Sequence, residues 1–347
     1  MSAPAIAVLG AGRIGRRHAE LIAASGTARL AGIADPSPQA GALAAELGCA
    51  HHDGLAALLE AGPDGVVIAT PNGMHAENAL DCIAAGVPVL VEKPLAATLE
   101  DARRIVTAAE AAGVPMLAGH HRRHNPRVRA AAEAIGSGRI GRVVAAHGFT
   151  WLMKPADYFA PDWRRAEGAG PVLTNLVHDI DLMRLLCGDI VAVQAQASDA
   201  VRGHAVEDSA VVTLRFASGA LGTMTVSDTA AGPWSWELTA AENPEYPATD
   251  QSCYRIAGTE GALELPNLRL WRHDGAPSWF AALEVETLET SDADPLALQI
   301  EHFAQVIAGA APRVTARDGL MALEVASAVR RAARSGTTIT LTKDPAP

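Results

Sequence analysis

The sequence predicts an α/β domain on a doubly wound parallel sheet, followed by an α+β domain with an open, mostly antiparallel sheet. Three observations predict it. Short apolar runs alternate with helical spacing over the first 120 residues, a glycine cluster closes the first of those runs, and the rhythm changes near residue 125. Strands alternating with helices of this length imply βαβ crossovers, whereas alternating strands joined by Gly-containing turns imply an antiparallel sheet.

The run 5–9 (AIAVL) predicts a strand buried on both faces, and 13–24 a helix through Ile14, Leu21 and Ile22. Strands follow at 29–35, 65–70, 87–93 and 114–120, with helices at 38–47, 72–86 and 99–113, the last two stopped by Gly86 and Gly113. Beyond a connecting helix after Asn125, strands are expected at VVAAHGFTW, IVAVQAQASDAV, EDSAVVTLRF, ALGTMTVSD and WSWELTA, with a helix at about 175–187. Helices at about 294–309 and 316–334 and a strand at 337–342 close the chain. At 347 residues the length suits two domains, drawn at 1–124 and 125–347, the second binding substrate and carrying oligomer contacts.

Composition narrows the function. With 49% hydrophobic and 19% charged residues the chain is globular, and its formal net charge of −11 argues against a nucleic-acid partner. Cys49, Cys82, Cys187 and Cys253 stand far apart without a C-x-x-C pair, so neither disulfides nor a zinc site is expected. No apolar run is long enough to span a membrane, and the N-terminal segment lacks the pattern of a signal peptide. A soluble, cytoplasmic chain is the expectation.

Gly10-Ala11-Gly12-Arg13-Ile14-Gly15 is a G-x-G-x-x-G that ends a strand and opens a helix. That context is the Rossmann dinucleotide fingerprint: Gly10 for the turn, Gly12 for close approach of the pyrophosphate, Gly15 for helix–strand packing. Asp35, 20 residues after Gly15 at the end of the second strand, suits the adenosine ribose hydroxyls and repels a 2′-phosphate, so NAD is favoured over NADP. Thr70 and Asn72 lie at another strand end beside the expected cofactor. Lys93, within Glu92-Lys93-Pro94, sits at the carboxyl end of a parallel strand, where ligands bind and an ammonium can stabilise an alkoxide.

The glycine motif, Asp35, the Glu92-Lys93-Pro94 tripeptide and GPVLTNLVHDIDL (170–182), in this order, resemble the Gfo/Idh/MocA family of two-domain NAD(P)-dependent dehydrogenases. The resemblance implies that Lys93 is catalytic and that His178 transfers the proton. It also implies an aspartate four residues before His178, where this chain has Thr174 beside Asn175. Thr174 can bond a hydroxyl but neither carries charge nor takes a proton at neutral pH, so it becomes a substrate contact. Asp181 is read as the supporting carboxylate of this helix.

The expected cofactor contacts are Gly10, Gly12, Arg13, Ile14, Gly15, Asp35, Thr70, Asn72, Glu92, Lys93 and His121, and no metal is expected. The substrate contacts are Lys93, His121, Trp151, Trp163, Arg164, Thr174, Asn175 and His178, with Trp234 and Trp236 as closing aromatics. Lys154, Arg164, Arg123 and His121 would make the pocket cationic. The implied activity is hydride transfer between NAD and a secondary alcohol of a sugar, inositol or related cyclic polyol. The alternatives are oxidation of a cyclic, carboxylated cis-dihydrodiol and an NAD-retaining glycosidase. A homodimer or homotetramer through the second sheet is expected, because Val211, Leu214, Leu221 and Met224 would otherwise place apolar side chains on its faces.

Overall fold

A computed structural model describes residues 3–341. The first sheet is parallel and six-stranded, with β1 (Ala5–Leu9), β2 (Arg29–Ala34), β3 (Ala50–His52), β4 (Gly65–Ile68), β5 (Val89–Glu92) and β6 (Met116–Gly119). Between them run α1 (Arg13–Ala23), α2 (Pro38–Glu46), α3 (Leu55–Glu60), α4 (His75–Ala84) and α5 (Leu99–Ala112). The spatial order β3-β2-β1-β4-β5-β6 reverses direction at β1/β4, which opens a crevice at the carboxyl ends of those strands. β1, β4 and β5 are wholly buried, as continuous apolar runs covered on both faces must be. Strand β3 and helix α3 go beyond the expected elements, since Ala50-His51-His52 is too short and polar to carry a strand signal.

The second sheet has nine strands among the described residues. After α6 (Pro126–Gly136) come β7 (Val143–Trp151), α7 (Val177–Cys187), β8 (Ile190–Ser198), β9 (Ser209–Phe216) and β10 (Leu221–Ser227). Then come α8 (Trp236–Thr239), β11 (Tyr254–Gly258), β12 (Gly261–Leu265), β13 (Arg269–His273) and β14 (Leu283–Thr287). The helices α9 (Pro295–Ile307) and α10 (Ala316–Ser335) precede β15 (Ile339–Thr340); Thr342 of the expected last strand lies outside the described residues. The order is β14-β13-β12-β11-β7-β10-β9-β8-β15, antiparallel except for the central β7/β10 pair.

Along β9 and β10 burial alternates: Val212, Leu214, Met224 and Val226 face the core, whereas Val211 is 50% and Leu221 61% exposed. Of the four apolar residues expected at the faces of this sheet, Leu214 and Met224 therefore belong to its interior, as the two-residue period requires.

Two expectations are corrected. WSWELTA contains a short helix rather than a strand: Ser235 has extended φ/ψ and its hydroxyl accepts from Leu238 N at 3.3 Å, so the serine caps α8. Residues 125–347 also do not form one unit. The chain divides into Met1–His124 with Ala293–Leu323, and Asn125–Asp292 with Glu324–Pro347. The physical reason lies in β6. The chain leaves the first unit after this last parallel strand without a helix returning over the sheet, and α9 fills that layer instead. Ile300, Phe303, Ala304 and Val306 join Ile6, Val8, Ile22 and Leu117 in one core, and Arg17 pairs with Asp294 at 2.6 Å at the start of α9. Among the described residues no helix is long and apolar enough to cross a membrane.

Candidate active site

The glycine loop is shaped by contacts that only glycine tolerates. Gly10 has φ +97°, and a Cβ there would lie 2.7 Å from Ala69 O; a Cβ on Gly15 would lie 1.9 Å from Gly10 O. The loop is thereby pressed against the end of β4 at the sheet's reversal point. Gly12, the residue before α1, faces open space, and no acidic side chain occupies the first turn of α1. A positive helix end facing open space fits the pyrophosphate of a dinucleotide. Arg13 and Ile14 open the helix, Arg13 exposed and Ile14 partly buried.

Asp35 follows β2, and its two oxygens accept from Ala11 N and Ser37 N, both at 2.8 Å. Burial alone would raise its carboxyl, but these hydrogen bonds and the neighbouring His51 hold it below the usual range. The ionised group therefore braces the glycine loop and keeps lone-pair capacity for a ribose hydroxyl.

Lys93 stands at the end of β5 between two braced neighbours. Glu92 is buried and takes a 2.7 Å hydrogen bond from His18 Nε2 on α1, while its other oxygen accepts from Lys93 N at 3.1 Å. Burial pushes the Glu92 carboxyl up, but the His18 bond, aided by the charges of His121 and Lys93, brings it down to about 2. On the other side, the cis Lys93–Pro94 bond leads to Pro94 O, which lies 2.8 Å from His75 Nδ1. His75 Nε2 lies 2.9 Å from Thr70 O. His75 is 1% exposed and ties the loop after β4 to the loop after β5.

Neither His18 nor His75 was singled out by the sequence. The one available signal is that each lies on a helix following a predicted ligand-binding turn. Thr70 Oγ1 accepts from Asn78 at 3.1 Å, and Asn72 is exposed in a 3₁₀ turn, capping no helix. His121 opens a 3₁₀ turn after β6, half-buried and near enough to Glu92 to influence its charge. Arg123 is buried in an ion pair with Asp318 at 3.3 Å and so belongs to the framework, which removes it from the expected cationic pocket.

The second unit holds the remaining candidates. His178 lies in the first turn of α7, largely buried, and Thr174 and Asn175 lie in a π-helical turn, Val172–Leu176, that runs into it. Such a turn re-aims the side chains around it. Thr174 Oγ1 is 3.1 Å from Gly170 O and 3.0 Å from Asn175 Oδ1. Gly170 admits Glu207, whose carboxylate accepts from Val172 N at 3.2 Å; a Cβ at Gly170 would lie 2.3 Å from that carboxylate. The acidic anchor of α7 that the hydrogen bonds reveal is Asp179. It is fully buried and accepts from Thr150 Oγ1 of β7 at 2.5 Å and from the Tyr254 hydroxyl of β11.

That anchor also corrects the placement of Trp151. Thr150 points at α7, so its neighbour Trp151 points to the opposite face of the sheet, where its indole donates to Thr225 at 3.0 Å. There it continues an aromatic row with His147, Phe149 and Trp234, and it does not join His178. Trp236 is likewise removed from a closing role: it is buried and stacked on Tyr254. Arg164 donates to Tyr158 O at 2.7 Å and lies over the Tyr158 ring at 4.2 Å, with the exposed Trp163 beside it.

Comparison with known proteins adds to this geometry. Residues 5–120 match the oxidoreductase family with an NAD-binding Rossmann fold, and residues 128–264 match the GFO/IDH/MocA C-terminal domain. The chain is 31% identical over 344 residues to inositol 2-dehydrogenase 1 of Saccharopolyspora erythraea, covering 96% of this chain and 95% of that one. It is 32% identical over 277 residues to 1,5-anhydro-D-fructose reductase of Ensifer adhaerens, covering 79% and 78%. Among solved structures, the WlbA dehydrogenase from Bordetella pertussis in complex with NADH and UDP-GlcNAcA aligns with a TM-score of 0.79 at 28% identity, covering 99% of this chain and 100% of that one.

Proposed function

The chain belongs to the Gfo/Idh/MocA oxidoreductases, an NAD-binding family, and from that premise we propose that it oxidises, reversibly, a secondary alcohol on the ring of a sugar, inositol or related cyclic polyol. The observation that carries this reading is Lys93 at the carboxyl end of β5, fixed on one side through Glu92 and His18 and on the other through Pro94 and His75. So much buried hydrogen bonding around one half-buried lysine is expected where the position of an ammonium matters. The relatives named as an inositol dehydrogenase and an anhydrosugar reductase act on ring alcohols or ketones, which supports the substrate class.

Bound NAD supplies the acceptor for the hydride. The glycine loop holds its pyrophosphate through the N-terminus of α1, and Asp35 accepts from the adenosine ribose hydroxyls, favouring NAD over NADP. The Lys93 ammonium donates to the substrate hydroxyl oxygen and stabilises negative charge as it develops there, while His178 removes the hydroxyl proton. Thr174 and Asn175 hydrogen-bond neighbouring hydroxyls. The working unit is a homo-oligomer that pairs through the open face of the second sheet, and it works in the cytoplasm.

The test is nicotinamide reduction at 340 nm with NAD or NADP against sugars, inositols, sugar acids and cyclic diols. We expect NAD-linked turnover, lowered about 10²–10⁴-fold in Lys93→Ala and His178→Ala. Hydrolysis of a glycoside without net reduction would instead establish the NAD-retaining glycosidase.

A further inference from the structure

Lys154 follows β7 on a loop whose backbone is pinned at both ends of the residue: Lys154 N donates to Asp228 O at 3.0 Å, and Arg202 donates to Lys154 O at 2.9 Å. The side chain is 8% exposed and runs to the π-helical turn before His178. Its ammonium there has three protons to place. Its hydrogen bond goes to Thr174 Oγ1 at 3.4 Å and its ion pair to Asp228 Oδ2 at 3.6 Å, with the Tyr158 ring centre at 5.1 Å. None is at the length of a good charge-assisted hydrogen bond, about 2.7–2.9 Å. Asp228 meanwhile gives its stronger contact to Arg202, whose Nε donates to Oδ1 at 2.8 Å. Two cations thus share one carboxylate, and the lysine holds the looser half.

A buried ammonium is costly unless its donors are filled. Burial pushes the Lys154 amine down and Asp228 and Glu237 oppose the shift, with burial prevailing. Its position gives the deficit meaning. Thr174 is the residue for which the family resemblance implied a carboxylate, and Lys154 lies within hydrogen-bonding range of the hydroxyl that stands there instead. On that side Thr174 offers the ammonium only a neutral hydroxyl at 3.4 Å.

We propose that Lys154 is a substrate-binding residue whose ammonium receives a carboxylate oxygen of the substrate, so that the enzyme takes the acid form of its cyclic polyol, a uronic acid or a carboxylated ring diol. This deepens the dehydrogenase reading and rests on it for the ring alcohol. The carboxylate completes the donor set of Lys154, with Thr174 as the polar neighbour on the side of His178. A neutral polyol offers only hydroxyls, which compensate a buried charge less well.

The test is calorimetric binding to the NADH-loaded enzyme, with D-glucuronate and D-galacturonate set against D-glucose and D-galactose. The wild-type enzyme is expected to bind each acid at least about 10-fold more tightly than its neutral counterpart. Lys154→Met is expected to bring the ratio of acid to neutral affinity down to within about twofold of one. Should this variant fail to fold, because Asp228 loses a partner, Lys154→Met/Asp228→Asn removes both charges and is held to the same ratio. Wild-type protein without a preference for the acid, or a variant that weakens acid and neutral sugar equally, overturns the proposal. A uronate that binds tightly but is never oxidised counts against the dehydrogenase reading alone, because binding is read without turnover.

Discussion

A single imidazole sets the geometry around Lys93. His75 lies buried between two carbonyls, Pro94 O and Thr70 O, so His75→Ala takes away the ring donor between them and opens a cavity. Each unmet buried group costs about 1–3 kcal/mol. Chemical denaturation should show a loss of at least about 2 kcal/mol. In the surviving folded fraction kcat should fall more than KM for the substrate, since Lys93 is displaced rather than removed.

A second histidine makes a pH-dependent contribution. His124 is fully buried beside His302, and burial, with His302 and Arg313, pushes it from 6.5 down to about 2. Protonation then favours the unfolded chain, so stability is complete above pH 6.5 and falls below it. The slope approaches about 1.4 kcal/mol per pH unit. Unfolding free energies between pH 6.5 and 5 should decline by up to about 2 kcal/mol more in the wild type than in His124→Phe. Equal slopes would mean that His124 is protonated in the folded state.

At the scale of elements, legibility depended on what set each one's period. Strands β1, β4, β5 and β6 were readable because burial on both faces demands unbroken apolar runs, and β7 because its ends coincide with a change of polarity. Strand β14 is wholly exposed and carries no pattern that burial would impose, and β11 to β13 are five-residue strands of mixed exposure, too short for a clear period. The motif residues of the site were legible because their chemistry is local, as at Gly10 and Lys93. His18 and His75 were not, because their partners are 74 and 19 residues away in sequence. Trp151 was misplaced for a related reason: which face of β7 carries α7 is decided by Asp179, not by the strand's own residues.

Helix α9 provides the stability test at this scale. Phe303 is fully buried in the core of the first unit, and Phe303→Ala should cost about 3–5 kcal/mol in equilibrium unfolding. Cofactor binding by the residual folded protein should weaken with it. A loss confined to the second unit, with NAD-dependent stabilisation intact, would refute the assignment of α9 to the first.

For the whole molecule, the proposed oligomer depends on the open sheet face. Val211 and Leu221 are half or more exposed there, and Phe149 and Trp151 line the neighbouring strand. If this face pairs with a second copy, Val211→Asp places a charge in an apolar interface. Light scattering after size exclusion should then show monomer where the wild type gives dimer or tetramer. An unchanged mass would leave the face outside the interface.

The first unit closes only when α9 and the start of α10 rejoin residues that precede them by most of the chain's length. During synthesis the six parallel strands leave the ribosome long before Phe303 does. At about 5–20 residues per second, the roughly 200 residues between His124 and Leu323 take about 10–40 s to translate. Throughout that interval the nascent sheet has one greasy flank without its cover. Inserting slow codons after residue 124 would lengthen the exposure of the apolar surface that α9 covers and is expected to lower the soluble yield.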